Sequence, residues 1–189
     1  MRTRLRGTGR LNRSMRPALE STSVPSWATA TVRPDADLSG RYWTVVALCS
    51  VAEEIAAYWI AQISAHDPRA DVRVHVAADD RAAADAVTAD LADAVVGWRL
   101  MIAGPADACL RLRALALQCG AADDEIIVAS TTVATRDVRC AHCQTVTRAE
   151  VDLEGVVQCS GCARKVVVHY HVSRRLGAHL GFMTDAGGS

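Results

Sequence analysis

From Tyr42 onward, short apolar runs of strand length alternate with longer stretches in which apolar positions recur every three or four residues. The pattern predicts strands over Tyr42 to Cys49, Val72 to Ala77, Trp98 to Ala103 and Glu125 to Ser130. Between them it predicts helices over Val51 to Ala65, Arg81 to Val96 and Ala106 to Cys119. Parallel strands are joined by right-handed crossovers, so this alternation predicts an α/β fold: a small open parallel sheet with flanking helices, Rossmann-like in type. In the first helix Val51, Ile55, Tyr58, Trp59 and Ile63 form one apolar stripe, expected to face the core.

The pattern fails at both ends of this region. Before it, Arg2, Arg4, Arg6, Arg10, Arg13 and Arg16 recur with no acid until Glu20, and Ser, Thr, Pro and Gly crowd the stretch through Gly40. Residues 1–40 are therefore expected to be a disordered tail. Alternative readings are an organelle transit peptide, for which the apolar helix face is barely present, and a true start at Met15. After residues 41–135, the α/β domain, comes a third region at 136–183, built on cysteine.

Cys140, Cys143, Cys159 and Cys162 form a C-x2-C-x15-C-x2-C array. Each pair can fold into a knuckle presenting two thiolates, and the arm between the pairs is long enough to bring them together around one tetrahedral metal. Structural Zn2+ is the expected occupant, with iron of the rubredoxin type a possible alternative, since it uses the same four thiolates. Two disulfides are the competing reading, and no secretory signal favours them. A segment of this size is near the limit of what a hydrophobic core sustains alone, so the metal is expected to staple a zinc ribbon. Four sulfurs leave no position for water, which predicts a structural and not a hydrolytic site. Gly161 is expected to supply a positive φ in the second knuckle.

Composition narrows the function classes. Half of the 189 residues are apolar, and 21 basic side chains balance 21 acidic ones, which argues against polyanion binding by the whole chain. No apolar run approaches the roughly 20 residues needed to cross a bilayer. Cys49, Cys109 and Cys119 sit among Val, Leu and Ala and read as buried reduced thiols, which predicts a cytoplasmic address.

The loops after the strands carry no glycine-rich phosphate signature. Ser50 and Glu53 instead spell a capping box, and Glu53, Glu54, Asp79, Asp80 and Asp107 place negative charge at all three helix starts. The expectation is a dinucleotide-type scaffold without its dinucleotide. Ser50, His66 and His75 have structural explanations as cap, helix-end cation and strand residue, so no catalytic residue is assigned.

Beyond the last cysteine runs VVVHYHVSRRLGAHLG, in which strand alternation puts Val166, Val168, Tyr170 and Val172 on one face and His169 with His171 on the other. His169, His171, Arg174 and Arg175 are candidates for a partner-docking surface. This run, together with CAHC and CSGC, resembles the zinc-ribbon end of the small subunit of bacterial dimethylamine monooxygenases. The resemblance implies a non-catalytic subunit of an oxygenase that oxidatively demethylates secondary amines. It also implies partners: a haem-containing oxygenase subunit and a flavin and iron-sulfur reductase. The central stretch MIAGP to QCGAADDEIIVAS is faintly similar to the nicotinamide-binding half of ferredoxin reductases, but lacks their glycine-rich turn and carries Ala103 where they usually have cysteine.

Two other functions compete. A nucleic-acid-binding ribbon is opposed by Glu150, Asp152 and Glu154 among its arginines and by the scarcity of aromatic side chains, so no nucleic-acid partner is expected. An oxidoreductase binding a nicotinamide cofactor is opposed by the missing phosphate loop.

Overall fold

The computed structural model describes residues 18–183. Four parallel strands, β1 (Tyr42–Ala47), β2 (Asp71–Val76), β3 (Trp98–Pro105) and β4 (Ile126–Thr132), pair in the order β2-β1-β3-β4. They are joined by α1 (Ser50–His66), α2 (Asp80–Ala92) and α3 (Ala106–Gln118). The central strands are buried on both faces, which is why they read as near-continuous apolar runs. Alternation splits the core: Trp43, Val45, Ala47 and Met101 pack with Ile55, Trp59 and Ile63 of α1. On the other face Val46, Leu100, Ile102 and Val128 pack with Val87 of α2 and with Cys109 and Leu112 of α3. Among the described residues no helix is long and apolar enough to cross a membrane.

The predicted stripe on α1 is shifted. Ala52, Ile55, Ala56, Trp59 and Ile63 are buried, whereas Val51 and Tyr58 are exposed. Small alanines fill the rows where the helix lies closest to the sheet, a role that hydropathy alone underweights. The predicted second helix overruns, because α2 stops at Ala92 and the chain reaches β3 through Gly97 at φ 97°. Cys109 is buried as expected and Cys49 is half-buried, but Cys119 lies exposed just past the end of α3.

The expected tail at 1–40 divides. Residues 1–17, with the Met15 and transit-peptide readings, lie outside the described residues. Residues 18–40 are instead held against the α/β unit. The Trp43 indole donates to the Asp37 carbonyl and the Trp59 indole to the Pro34 carbonyl, each at 2.8 Å. Ser130 donates its amide to the Val32 carbonyl and takes the Val32 amide on its hydroxyl. Arg99 closes the strap on Asp37 at 2.9 Å. Composition suggested disorder because the segment buries few side chains of its own, Val24 and Ala28 among them; its backbone groups satisfy the polar tips of core side chains.

The chain then enters a second sheet. Its strands are β5 (Thr135–Cys140), β6 (Val146–Glu150), β7 (Val156–Gln158), β8 (Lys165–Ser173) and β9 (Ala178–Met183), in the order β6-β5-β9-β8-β7. Pairing is antiparallel except between β5 and β9. The hairpin between β8 and β9 turns at Gly177, φ 61°, where a Cβ would strike the Leu110 backbone of α3. Val172 packs beside it with Leu110, Val24 and Ala28.

Candidate metal centre

The two cysteine pairs fold into knuckles of matching hydrogen bonding. In the first, the Cys140 amide donates to the Thr145 carbonyl and the Gln144 amide to the Cys140 carbonyl, both at 2.9 Å. In the second, Cys159 donates to Arg164 and Ala163 to Cys159, again both at 2.9 Å. Each knuckle places the residue after its second cysteine in the left-handed region, Gln144 at φ 68° and Ala163 at φ 60°. Gly161 is not the positive-φ residue that the sequence suggested. Its requirement is space: a Cβ there would overlap the Thr145 hydroxyl and sit 2.8 Å from the Thr145 Cβ. Gly161→Ala should therefore weaken metal retention, whereas Ala163→Gly should stabilise the loaded protein by about 1 kcal/mol through relief of the left-handed strain. Thermal unfolding of the two variants beside the parent checks both signs.

The four sulfurs lie within 4.8 Å of one another, with Cys140 and Cys162 3.8 Å apart and Cys143 and Cys159 3.4 Å apart. All four cysteines are free thiols, and these separations exceed the roughly 2.05 Å of a disulfide. A tetrahedral ion with metal–sulfur bonds of about 2.3 Å needs sulfurs about 3.8 Å apart, so the cluster fits with small adjustments. The surroundings favour thiolate. The Thr145 hydroxyl and amide hydrogen-bond the Cys143 sulfur and lower its thiol to about 6. The Cys162 and Gly161 amides hold Cys159 below the usual thiol range. For Cys162 the Arg164 amide helps ionisation, but burial and the neighbouring sulfurs outweigh it and push the thiol up to about 11. Crowded sulfurs that cannot all ionise together are the condition a bound dication relieves. The apolar support is small: Val138, Val166 and Val168 are buried around the cluster, with Val151, Leu153 and Val157 partly so.

Sequence reasoning missed His179. It is 1% exposed beside Val138, its ring hydrogen-bonds the His169 backbone, and its Nδ1 has no partner. Burial, then the adjacent Arg136 cation, lowers its imidazole to about 4. Arg136 is itself buried and donates Nη1 to the Val133 and Val151 carbonyls, at 2.8 and 2.7 Å. The imidazole titrates near 6.5 in the unfolded chain and near 4 in the folded one, so the folded state binds fewer protons between those values. The associated stability, about 3 kcal/mol at ~1.4 kcal/mol per unit, is complete above pH 6.5 and is lost as the pH falls toward 4. An NMR titration should find the His179 ring neutral at pH 5.5; a midpoint near 6.5 would refute this.

The candidate docking residues follow one another along β8 and the turn after it, and all four are exposed. His169 and His171 are exposed on β8, with His169 edge-on to Phe182 at 5.3 Å. Arg174 and Arg175 lie in the turn that follows: the Arg174 guanidinium is 3.6 Å from Asp123, and the Arg175 backbone carbonyl accepts from the Gln118 side chain.

The helix starts also differ from expectation. Asp79 caps α2 by accepting from the Ala82 amide at 2.8 Å. For α1 the cap is Cys49, without a side-chain bond, and Ser50 is already helical, so the expected capping box is absent. Asp107 does not cap α3. It is 2% exposed and pairs with Arg111 and Arg148, while Arg111 also binds Asp80 and Asp137. These ions occupy the starts of α2 and α3 at the carboxyl ends of the strands, the region where open parallel sheets hold phosphates. Two of them, Asp137 and Arg148, come from β5 and β6. On the opposite end of the sheet, His75 and Arg73 of β2 converge on Asp90 of α2 at 2.8 and 3.0 Å, the structural role expected of a strand histidine.

Fold and site together define a class: a parallel α/β sheet that carries a small four-thiolate β-module competent for a structural metal. Residues 137–182 match the family described as dimethylamine monooxygenase subunit DmmA-like, C-terminal domain. The chain is similar to the heme-dependent oxidative N-demethylase delta subunit of Ectopseudomonas mendocina (strain ymp), at 41% identity over 96 residues. That alignment covers 51% of this chain and 54% of the relative, so the chain spans about half the length of the curated relative it matches. No solved structure matches.

Proposed function

We propose that this chain is an accessory, non-catalytic subunit of a bacterial haem-dependent amine monooxygenase of the oxidative N-demethylase kind. It acts in assembly or in docking for electron transfer, in the cytoplasm. The α/β domain, 41–135, is the scaffold, and the module at 136–183 is a zinc ribbon whose Cys140, Cys143, Cys159 and Cys162 hold structural Zn2+. His169 and His171 lie on the partner-facing side, with Arg174 and Arg175 at its base. The partners are a haem-containing oxygenase subunit and a flavin and iron-sulfur reductase. The observation that carries this reading is the coincidence of the DmmA-like match with the thiolate module, together with the similarity to a demethylase delta subunit. The ion cluster around Arg111 supports a scaffolding role for the sheet, since protein groups take the phosphate position.

Purification of the tagged full chain from its own host at low salt should bring down a protein with a haem absorption band. Elemental analysis should find one zinc per chain, without the visible bands of an iron-thiolate centre. Recovery of the chain alone under conditions that preserve complexes would overturn the proposal.

A further inference from the structure

One face of the five-stranded sheet is half covered by this chain and half bare. Residues paired across strands point to the same side. Asp137 and Arg148 are such a pair, and both are engaged by α3, through Arg111 and Asp107. Further along the same face the register aligns Val146 with Arg139 and Arg139 with Leu180. Phe182, two residues on from Leu180, aligns with Val167, and Val167 with Val156. Nothing in the described chain covers this half: Val146, Phe182 and Val156 are 46%, 45% and 52% exposed. The only phenylalanine in the sequence is thus spent on the surface, steadied by the edge of His169. Beside it a cavity of about 220 Å³ opens between Leu180, Phe182 and the first cysteine knuckle, with Arg139 and Gln144 on its rim.

The charge on this half has one sign. Arg139 and Lys165 belong to it, Arg164 flanks it, and no carboxylate stands among the residues aligned on this half. Arg139 spends one donor on Gln144, Arg164 reaches only the Met183 sulfur, and neither makes an ion pair with a carboxylate among the described residues. An aromatic anchor next to a small cavity, flanked by basic side chains that have no carboxylate partner among the described residues, is the anatomy of a protein-binding hot spot. A second copy of the same basic face would repel it.

We propose that this half-sheet is the docking site for another subunit, which presents an acidic surface with one apolar side chain that fills the cavity beside Phe182. The proposal rests on the assembly role above and narrows it to one face and one partner chemistry. The metal knuckle forms a wall of the cavity, so loss of the metal would dissolve the docking site along with the fold.

The test uses the oxygenase subunit that co-purifies with the full-length wild-type chain, re-isolated as the probe, and measures its Kd for metal-loaded variants. Phe182→Asp is expected to weaken binding about 30-fold, a typical hot-spot loss. Arg139→Glu is expected to weaken it about tenfold and to flatten its dependence on salt. Val96→Asp, at a fully exposed position beyond α2, is expected to bind as wild type. If the wild-type chain associates with no subunit, the assembly role and this surface fall together. If it associates and Phe182→Asp binds equally well at full metal content, this surface alone is refuted and the assembly role stands.

Discussion

Cys159→Ser is expected to reduce bound metal from one equivalent to less than about a tenth and to melt β5 to β9 while β1, β3 and β4 stay folded. The serine hydroxyl does not ionise at neutral pH and is a poor zinc ligand, so three thiolates must hold an ion set up for four. What remains is too small to hold the module. Three buried valines, at about 1.5–3 kcal/mol each, fall short of the roughly 10–16 kcal/mol that a structural zinc site contributes to folding. The parallel sheet has separate support, because Trp43, Trp59, Ile63, Met101 and Leu100 are fully buried without help from the metal. Amide hydrogen exchange resolves the two parts: protection should vanish at Val166 and Val168 and persist at Val45 and Ile102. Persistence of β8 and β9 in a metal-free variant would show that the module folds by packing alone, and the stapling argument would fail.

What could be read from the sequence was what is encoded locally. The strand–helix alternation was legible because each central strand is buried on both faces and each crossover returns with helical periodicity. The four-cysteine cluster was legible because knuckle spacing is a short-range property. The shape of the knuckles was not, since Gln144 and Ala163 take left-handed backbone without the glycine that advertises it, while Gly161 serves packing against Thr145. Residues 18–40 were misread because their anchoring depends on the Trp43 and Trp59 indoles and on Ser130, up to 100 residues away. The ion-pairing role of Asp107 was hidden for the same reason. A carboxylate in the first turn of a helix matches a dipole rule, and only the fold reveals that Arg148, from a different sheet, is its competing partner. The parallel pairing of β5 with β9, which seals His179 into the module, likewise joins segments about 40 residues apart.

Arg111→Leu should destabilise the chain by about 3–5 kcal/mol with the metal in place, the usual cost of stranding buried charges by removing their counter-ion. Arg111 serves Asp80, Asp107 and Asp137 at once. Burial disfavours its charge, but the hydrogen bond it donates to Asp80 and the field of Asp137 outweigh this and hold its pKa above the ordinary arginine range. Asp107 and Asp137 expose only 2% and 9% of their side chains, so water cannot replace the lost guanidinium. Arg148 would be left to serve Asp107 alone. By contrast, Arg81→Ala should cost less than about 0.5 kcal/mol, because Arg81 is 91% exposed and its Asp85 contact is a surface pair. Urea unfolding measures both. The triple variant Arg111→Leu, Asp107→Leu, Asp137→Leu should recover most of the loss, since replacing a buried ion cluster with apolar groups is often neutral. A loss below 1 kcal/mol for Arg111→Leu would mean that solvent reaches these carboxylates. The ion cluster would then no longer explain how the second sheet is fastened over the carboxyl ends of the first.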